Sequence, residues 1–304
     1  MVNAPDDLDE QARHVVLRAV FQHPELGEHL ILKGAMAVEP LTGRRRSTRD
    51  VDLTARDRFC TMDGVGRDLL GSWLREAVAD GALSKLGPDW RAPRSPSVEK
   101  RPAGRRHRLG FDAFKCKVTL QYRGRAEYAV ELDVSFGDFT GAEVRLVPAN
   151  GRLIVGTGPD AVVRAYAADE CVAEKLRAFL QKLPRYLKKI GRDYPDAELP
   201  RVRDLLDVHG LASRPEPLDW VRVAYAFRKK CREKFVDCWG PADFAPDGGS
   251  VETYRRLYDE EFGPVLPTFD EVWTNWLSVV QRVGEHGGFG GAVPLPEAEL
   301  PGSD

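Results

Sequence analysis

The sequence predicts an α/β chain of the α+β kind, with a mixed-sheet domain over residues 1–160 and an all-helical domain over residues 161–304. Three observations predict it. Strand-like runs bounded by glycine and proline are confined to the first half. Stretches with apolar residues at helical spacing fill the second half. The 304 residues, 42% hydrophobic and 30% charged, are enough to bury two cores and exclude wholesale disorder.

In order, Leu8–Gln22 reads as a helix because Val15, Val16, Ala19 and Val20 make an apolar stripe. Leu30-Ile31-Leu32 is a short strand ended by Lys33-Gly34, and Ala35–Glu39 a short helix stopped by Pro40. Val51–Leu53 reads as a strand, and Asp68–Asp80 as a helix closed by Gly81. Gly87–Gly104, rich in proline and arginine, reads as an exposed loop. Strands are expected over Phe114–Tyr122 and Glu127–Phe136, joined by a hairpin-like break at 123–126, and again over Gly151–Val155. Helices are expected over Ala161–Leu183, Arg201–His209, Leu218–Lys234, Glu252–Glu261 and Phe269–Val283, with a frayed tail from Gly284.

Composition narrows the function classes. No run of about 18 apolar residues occurs, so no membrane span is expected. The acidic start, Met1–Glu10, lacks the layout of a secretory signal. Cys60, Cys116, Cys171, Cys231 and Cys238 are odd in number and contain no Cys-x-x-Cys pair, which points to reduced thiols in a cytoplasm. The six histidines are isolated, so a zinc-hydrolase reading has little support. The six tryptophans read as packing residues.

The net charge of −2 hides an asymmetry. Arg91–Arg125 carries eleven Lys/Arg against two acids, a net of +9, and Lys175–Arg203 carries nine against three, a net of +6. The stretch from Asp237 to the end nets −10. Cationic blocks suit a polyanion such as a nucleic acid or nucleotide phosphates.

The chemistry-bearing residues are strand carboxylates. Asp50-Val51-Asp52 sets two acids on one face of a strand, ~6–7 Å apart, an unfavourable arrangement unless a cation lies between them. Asp133 lies in a second strand, between Leu132 and Val134. Were the two strands neighbours, three carboxylates would converge as a Mg²⁺ pair requires. Upstream, Lys33-Gly34 offers bare backbone at a helix start, suited to a triphosphate.

The run Leu30 to Ala37, followed by Arg46-Ser47-Thr48-Arg49-Asp50-Val51-Asp52-Leu53, resembles the AbiEii/MenT group of nucleotidyltransferase toxins, within the DNA polymerase β superfamily. Three later segments extend the resemblance in the same order: Leu132–Asp138, Glu170–Ala178 with its Glu174-Lys175-Leu176, and Arg203-Asp204-Leu205-Leu206-Asp207. The chain departs from the group at Gly34-Ala35, where a second glycine or a serine is usual, so a hydroxyl is absent beside the expected phosphate site.

The resemblance implies a nucleotidyltransferase domain followed by a helical one. It implies Mg²⁺ on Asp50 and Asp52, with Asp133 as a third acid that deprotonates the acceptor hydroxyl. Gly34 would approach the triphosphate, with Lys33, Arg46 and Thr48 beside the nucleotide. Lys175 matches a lysine of nucleotide binding and catalysis, and Asp204 a helical acid of the same site. The implied activity is transfer of NMP from NTP to RNA, at the 3′ end of tRNA, by a growth-inhibiting cytoplasmic toxin with a cognate antitoxin protein. Thr48 is a candidate for silencing by phosphorylation, since about two added negative charges would repel a triphosphate. Two other readings stay open: a catalytically idle module that binds nucleic acid or antitoxin, and a nucleotidyltransferase with a small-molecule acceptor.

Overall fold

A computed structural model describes residues 4–44, 48, 50–56, 65–79, 82–83, 89–101, 113–136, 138–149, 152–157, 162–190, 201–244, 251–263 and 267–295. The chain divides into two compact units, Met1–Asp138 with Glu143–Ala167, and Phe139–Ala142 with Ala168–Asp304. The fold is mixed α/β in the first and helical in the second.

In the first unit, α1 (Ala4–Gln22), α2 (Pro24–His29), α3 (Ala35–Thr42) and α4 (Val65–Ala77) accompany a sheet that has nine strands among the described residues. The strands are β1 (Leu30–Leu32), β2 (Asp50–Ala55), β3 (Trp90–Arg91), β4 (Ser97–Arg101), β5 (Ala113–Tyr122), β6 (Ala126–Ser135), β7 (Glu143–Ala149), β8 (Arg152–Val155) and β9 (Val163–Tyr166). Their order is β3-β5-β6-β2-β1-β9-β7-β8, with β4 also on β5. Two pairings are parallel, β2 with β6 and β1 with β9, and the rest are antiparallel. Strand alternation decides the core. Val51 and Leu53 of β2 and Val130, Leu132 and Val134 of β6 are buried, while Asp50, Asp52, Glu131 and Asp133 take the alternate positions. α1, with Ala12, Val16, Leu17 and Val20 fully buried, packs on β6 and β9.

The structure corrects three sequence expectations. The expected loop over 87–104 contains β3 and β4, both paired to β5. Pro93 and Pro96 fall between the two strands, where no ladder N–H is required. The helix expected from Ala161 begins only at Ala168, because Val163–Tyr166 is a wholly buried strand. A run of only four residues has no period that separates strand from helix, and a place between β1 and β7 decides it. β7 was not expected at all. The region after Gly284 is also not frayed as far as it is described: Gly291 exchanges backbone hydrogen bonds with Cys238 at 2.8 and 3.1 Å.

The second unit contains α5 (Ala168–Leu180), α6 (Pro184–Lys189), α7 (Val202–Ala212), α8 (Trp220–Glu233), a 3₁₀ turn (Pro241–Phe244), α9 (Val251–Phe262) and α10 (Phe269–Glu285). Its centre is aromatic. Phe179 meets Trp276 with ring centroids 4.8 Å apart, and Phe244 lies about 6 Å from Phe179, Phe227 and Trp276. Trp276 and Trp90 are buried as expected of packing residues, whereas Trp239 is 68% exposed. No described helix is long and apolar enough to cross a membrane.

Phe244 is fully buried among three aromatic neighbours, so its truncation leaves a void that the short 3₁₀ turn cannot close. Phe244→Ala is expected to cost about 3–5 kcal/mol. A lower urea midpoint, followed by tryptophan fluorescence, checks this; an unchanged midpoint contradicts the packing.

Candidate active site

The site in the sheet unit follows from one register. β2 and β6 run parallel with Asp52 opposite Asp133 and Asp50 opposite Glu131. Cross-strand partners project from the same face, so Asp50, Asp52, Glu131 and Asp133 form an acidic patch with strands about 4.8 Å apart. β5 continues the row, placing Lys115 opposite Asp133 and Lys117 opposite Glu131. The Lys115 ammonium lies 3.7 Å from Asp133 Oδ1 and 3.8 Å from Glu131 Oε2. Partial burial, then the charges of Asp50 and Glu131, raise the Asp133 carboxyl above its ordinary pKa against the opposing pull of Lys115.

On the other side, the loop after β1 crosses Asp52. Lys33 N–H donates to the Asp52 carbonyl at 2.9 Å. Gly34 has φ 69° and ψ −154°, a region that only glycine occupies without strain, and an added Cβ would overlap the Asp52 carboxylate. Glycine is required twice over here, by backbone angle and by space. It is also the N-cap of α3, whose first N–H groups lie free of side-chain capping.

The Lys33 side chain turns to the rim of the patch, donating to Asp138 at 2.6 Å and Ser135 at 2.7 Å. Ser135 and Thr54 also donate to Asp138, at 2.5 and 3.3 Å. Thr48 donates its hydroxyl to the Asp50 carbonyl at 3.3 Å. The chemistry of these oxygen donors fits a hard divalent cation such as Mg²⁺, which binds through one or two carboxylates and completes its shell with water and phosphate. Among the described residues no three His, Cys, Asp or Glu side chains are gathered tightly enough to enclose an ion by themselves.

Within the helical unit, Lys175 and Asp204 form a second cluster. Lys175 of α5 meets Asp204 at 2.7 Å and Asp207 at 2.8 Å on α7, and all three side chains are buried. Arg201 also pairs with Asp204. Burial works to raise the Asp204 pKa, but Lys175 and Arg201 outweigh it and hold the carboxyl below its ordinary value. The opposite face of α5 repeats the arrangement with the signs reversed. Lys230 of α8 meets Glu170 at 2.8 Å and Glu174 at 3.4 Å and donates to the Phe139 carbonyl at 2.7 Å.

The structure thus brings Asp50, Asp52 and Asp133 onto one face, with Lys33, Gly34 and Thr48 at its margin. It joins Lys175 to Asp204 inside the helical unit. Arg46 lies outside the described residues. Sequence reading missed Asp138, Ser135, Thr54 and Lys115 as supports of the patch. A Ser-x-x-Asp at the strand end was the available signal for two of them. Lys115 carried none, since its role depends on cross-strand register.

Residues 15–277 match the family model described as nucleotidyl transferase AbiEii toxin, type IV TA system. No curated protein matches the chain. Among solved structures, MenT4, a nucleotidyltransferase toxin from Mycobacterium tuberculosis H37Rv, is similar at 15% identity and a TM-score of 0.43, with 92% of each chain covered.

Two stability predictions follow from the clusters. Gly34→Ala is expected to cost about 1–3 kcal/mol from backbone strain, read as a lower thermal midpoint. Lys175→Met leaves two buried carboxylates without their common cation and is expected to cost about 3–5 kcal/mol. Because the folded pKa of Asp204 is depressed, its contribution is complete above the unfolded value of about 3.9 and is lost as pH falls through the lower folded value. Asp204→Asn should flatten that acid limb in a stability-against-pH measurement, and an unaltered limb would show that Asp204 is uncoupled from Lys175.

Proposed function

This chain belongs to the AbiEii family of nucleotidyltransferase toxins of type IV toxin–antitoxin systems, and from that premise we propose that it moves NMP from an NTP to a hydroxyl at the 3′ end of tRNA, with Mg²⁺. The family implies an NTP substrate, an antitoxin partner and a divalent metal. The single observation that carries the finer reading is the β2–β6 register, which puts Asp52 opposite Asp133 with Asp50 on the same face.

Asp50 and Asp52 would hold Mg²⁺, with Asp133 beside them. Bound there, the metal would offset phosphate charge and favour an in-line geometry. The acceptor hydroxyl oxygen forms a bond to Pα, the bond from Pα to the bridging oxygen breaks, and pyrophosphate leaves. Asp133 takes the hydroxyl proton, a role helped by its raised pKa. Gly34 lets the backbone approach the triphosphate, and the start of α3 favours negative charge. Lys33, Arg46 and Thr48 are proposed on the nucleotide side, with the Lys33 ammonium acting as a positioning group through Asp138. Lys175 and Asp204 enter by resemblance alone, Lys175 as a lysine of nucleotide binding and catalysis and Asp204 as the helical acid paired with it.

Incubation of the protein with labelled NTPs, Mg²⁺ and total RNA tests the reading. Label is expected in tRNA-sized RNA, abolished by EDTA and reduced to background by Asp50→Asn/Asp52→Asn. Equal transfer by that double variant overturns the enzyme site. Transfer only to small hydroxyl compounds overturns the RNA acceptor.

A further inference from the structure

Most cations of the Lys175–Arg203 block are consumed by the fold: Lys175, Arg177, Arg185, Lys189, Arg201 and Arg203 each face a carboxylate. The outer face of α8 is different. Arg228, Lys229 and Arg232 have no carboxylate partner among the described residues. They line a groove of about 860 Å³ together with Tyr225 and the 289–294 segment, which includes Phe289.

The groove is built rather than incidental. Its far wall is pinned by the Gly291–Cys238 backbone pair and by Val293 N–H donating to Asp237 at 2.7 Å. Arg228 donates to the Gly287 carbonyl at 3.3 Å, which holds its stem along that wall. Tyr225 stands edge-on to Phe139 with centroids 5.6 Å apart, and the Lys229 ammonium lies 5.6 Å from its ring centre. Tyr225 is 46% exposed.

We propose that this groove binds a single-stranded segment of RNA, with phosphates on Arg228, Lys229 and Arg232 and a base against Tyr225. Arg228 and Arg232 are one helical turn apart, roughly 6 Å along α8, and Tyr225 to Arg232 spans roughly 10 Å. That length suits a run of nucleotides rather than one. Unpaired cations beside an exposed aromatic face are the two elements a single strand needs, charge for the backbone and a platform for stacking. An acidic peptide would use the cations and leave the ring idle. The inference deepens the RNA-acceptor reading and rests on it for its biological meaning, though binding can be measured without catalysis.

The test uses the full chain and a fluorescein-labelled single-stranded RNA oligonucleotide, followed by anisotropy over a salt series. For the wild type, log K should fall linearly with log salt concentration. Arg228→Ala/Lys229→Ala/Arg232→Ala should weaken binding at least about tenfold and lower the slope by about 2, at about 0.7 per single-strand phosphate. Tyr225→Ala should weaken binding about tenfold with the slope unchanged. Thermal midpoints of both variants should stay near wild type, since all four side chains lie at the surface. Unchanged affinity and slope in the triple variant overturn the proposal. So does poly-glutamate that binds more tightly than RNA and displaces it, a result that assigns the groove to an acidic protein. Loss of RNA binding in the triple variant supports the groove even where wild type transfers no label to RNA, and that result overturns only the acceptor reading.

Discussion

Four carboxylates on one face of two adjacent strands are the constraint on which the sheet unit depends. At strand spacing, each like-charged pair costs on the order of 1–4 kcal/mol, depending on how far water reaches it. The parallel register of β2 and β6 admits no relief by slippage, because a shift of one residue would turn Val51 and Leu53 outward and the acids inward. The apolar alternation thus holds the acids together, and cations at the margins compensate. Lys115 does so from β5, while Lys33 neutralises Asp138 at the strand ends.

An acidic patch of this kind is held in place by the apolar alternation of its strands and offset in part by Lys115. Gly34 sets its boundary. The backbone passes so close to Asp52 that no side chain fits between them. The same close approach sets the N-terminus of α3 beside the Asp52 carboxylate, so that positive helix-end character and a negative side chain meet there.

The helical unit uses charge in another way. α5 carries Lys175 toward α7 and Glu170 and Glu174 toward α8, each facing buried partners of opposite sign. Such pairs add little net stability over apolar residues, but a rotation of α5 would leave several charges unpaired. They therefore specify how the three helices mate. The motif residues Lys175 and Asp204 are part of this internal lattice, so any role in the reaction is exercised by groups already tied to one another.

Much of this was legible in the amino-acid order. Helical and strand periods located α1, β5, β6 and the helices from α7 onward, and the spacing of Asp50, Asp52 and Gly34 marked the acidic site. The four-residue Val163–Tyr166 and the proline-punctuated 90–101 segment were misread, because a strand's identity there comes from the neighbour that completes its hydrogen bonds. Charge runs misled for a similar reason. The Lys175–Arg203 block looked like a surface and is mostly spent on ion pairs, while the basic run from Arg228 to Lys234 at the end of α8 drew no notice in the sequence and holds the exposed cations.

By itself the sequence determined which side chains are acidic and which positions alternate with apolar ones, since these are local properties of residue type and period. The tertiary structure alone decided that Asp133 stands opposite Asp52, that Lys115 faces it, and that Arg228, Lys229 and Arg232 meet no carboxylate among the described residues. Those outcomes depend on register and on which distant carboxylates fold against which cations, and no spacing along the chain encodes a distance across it.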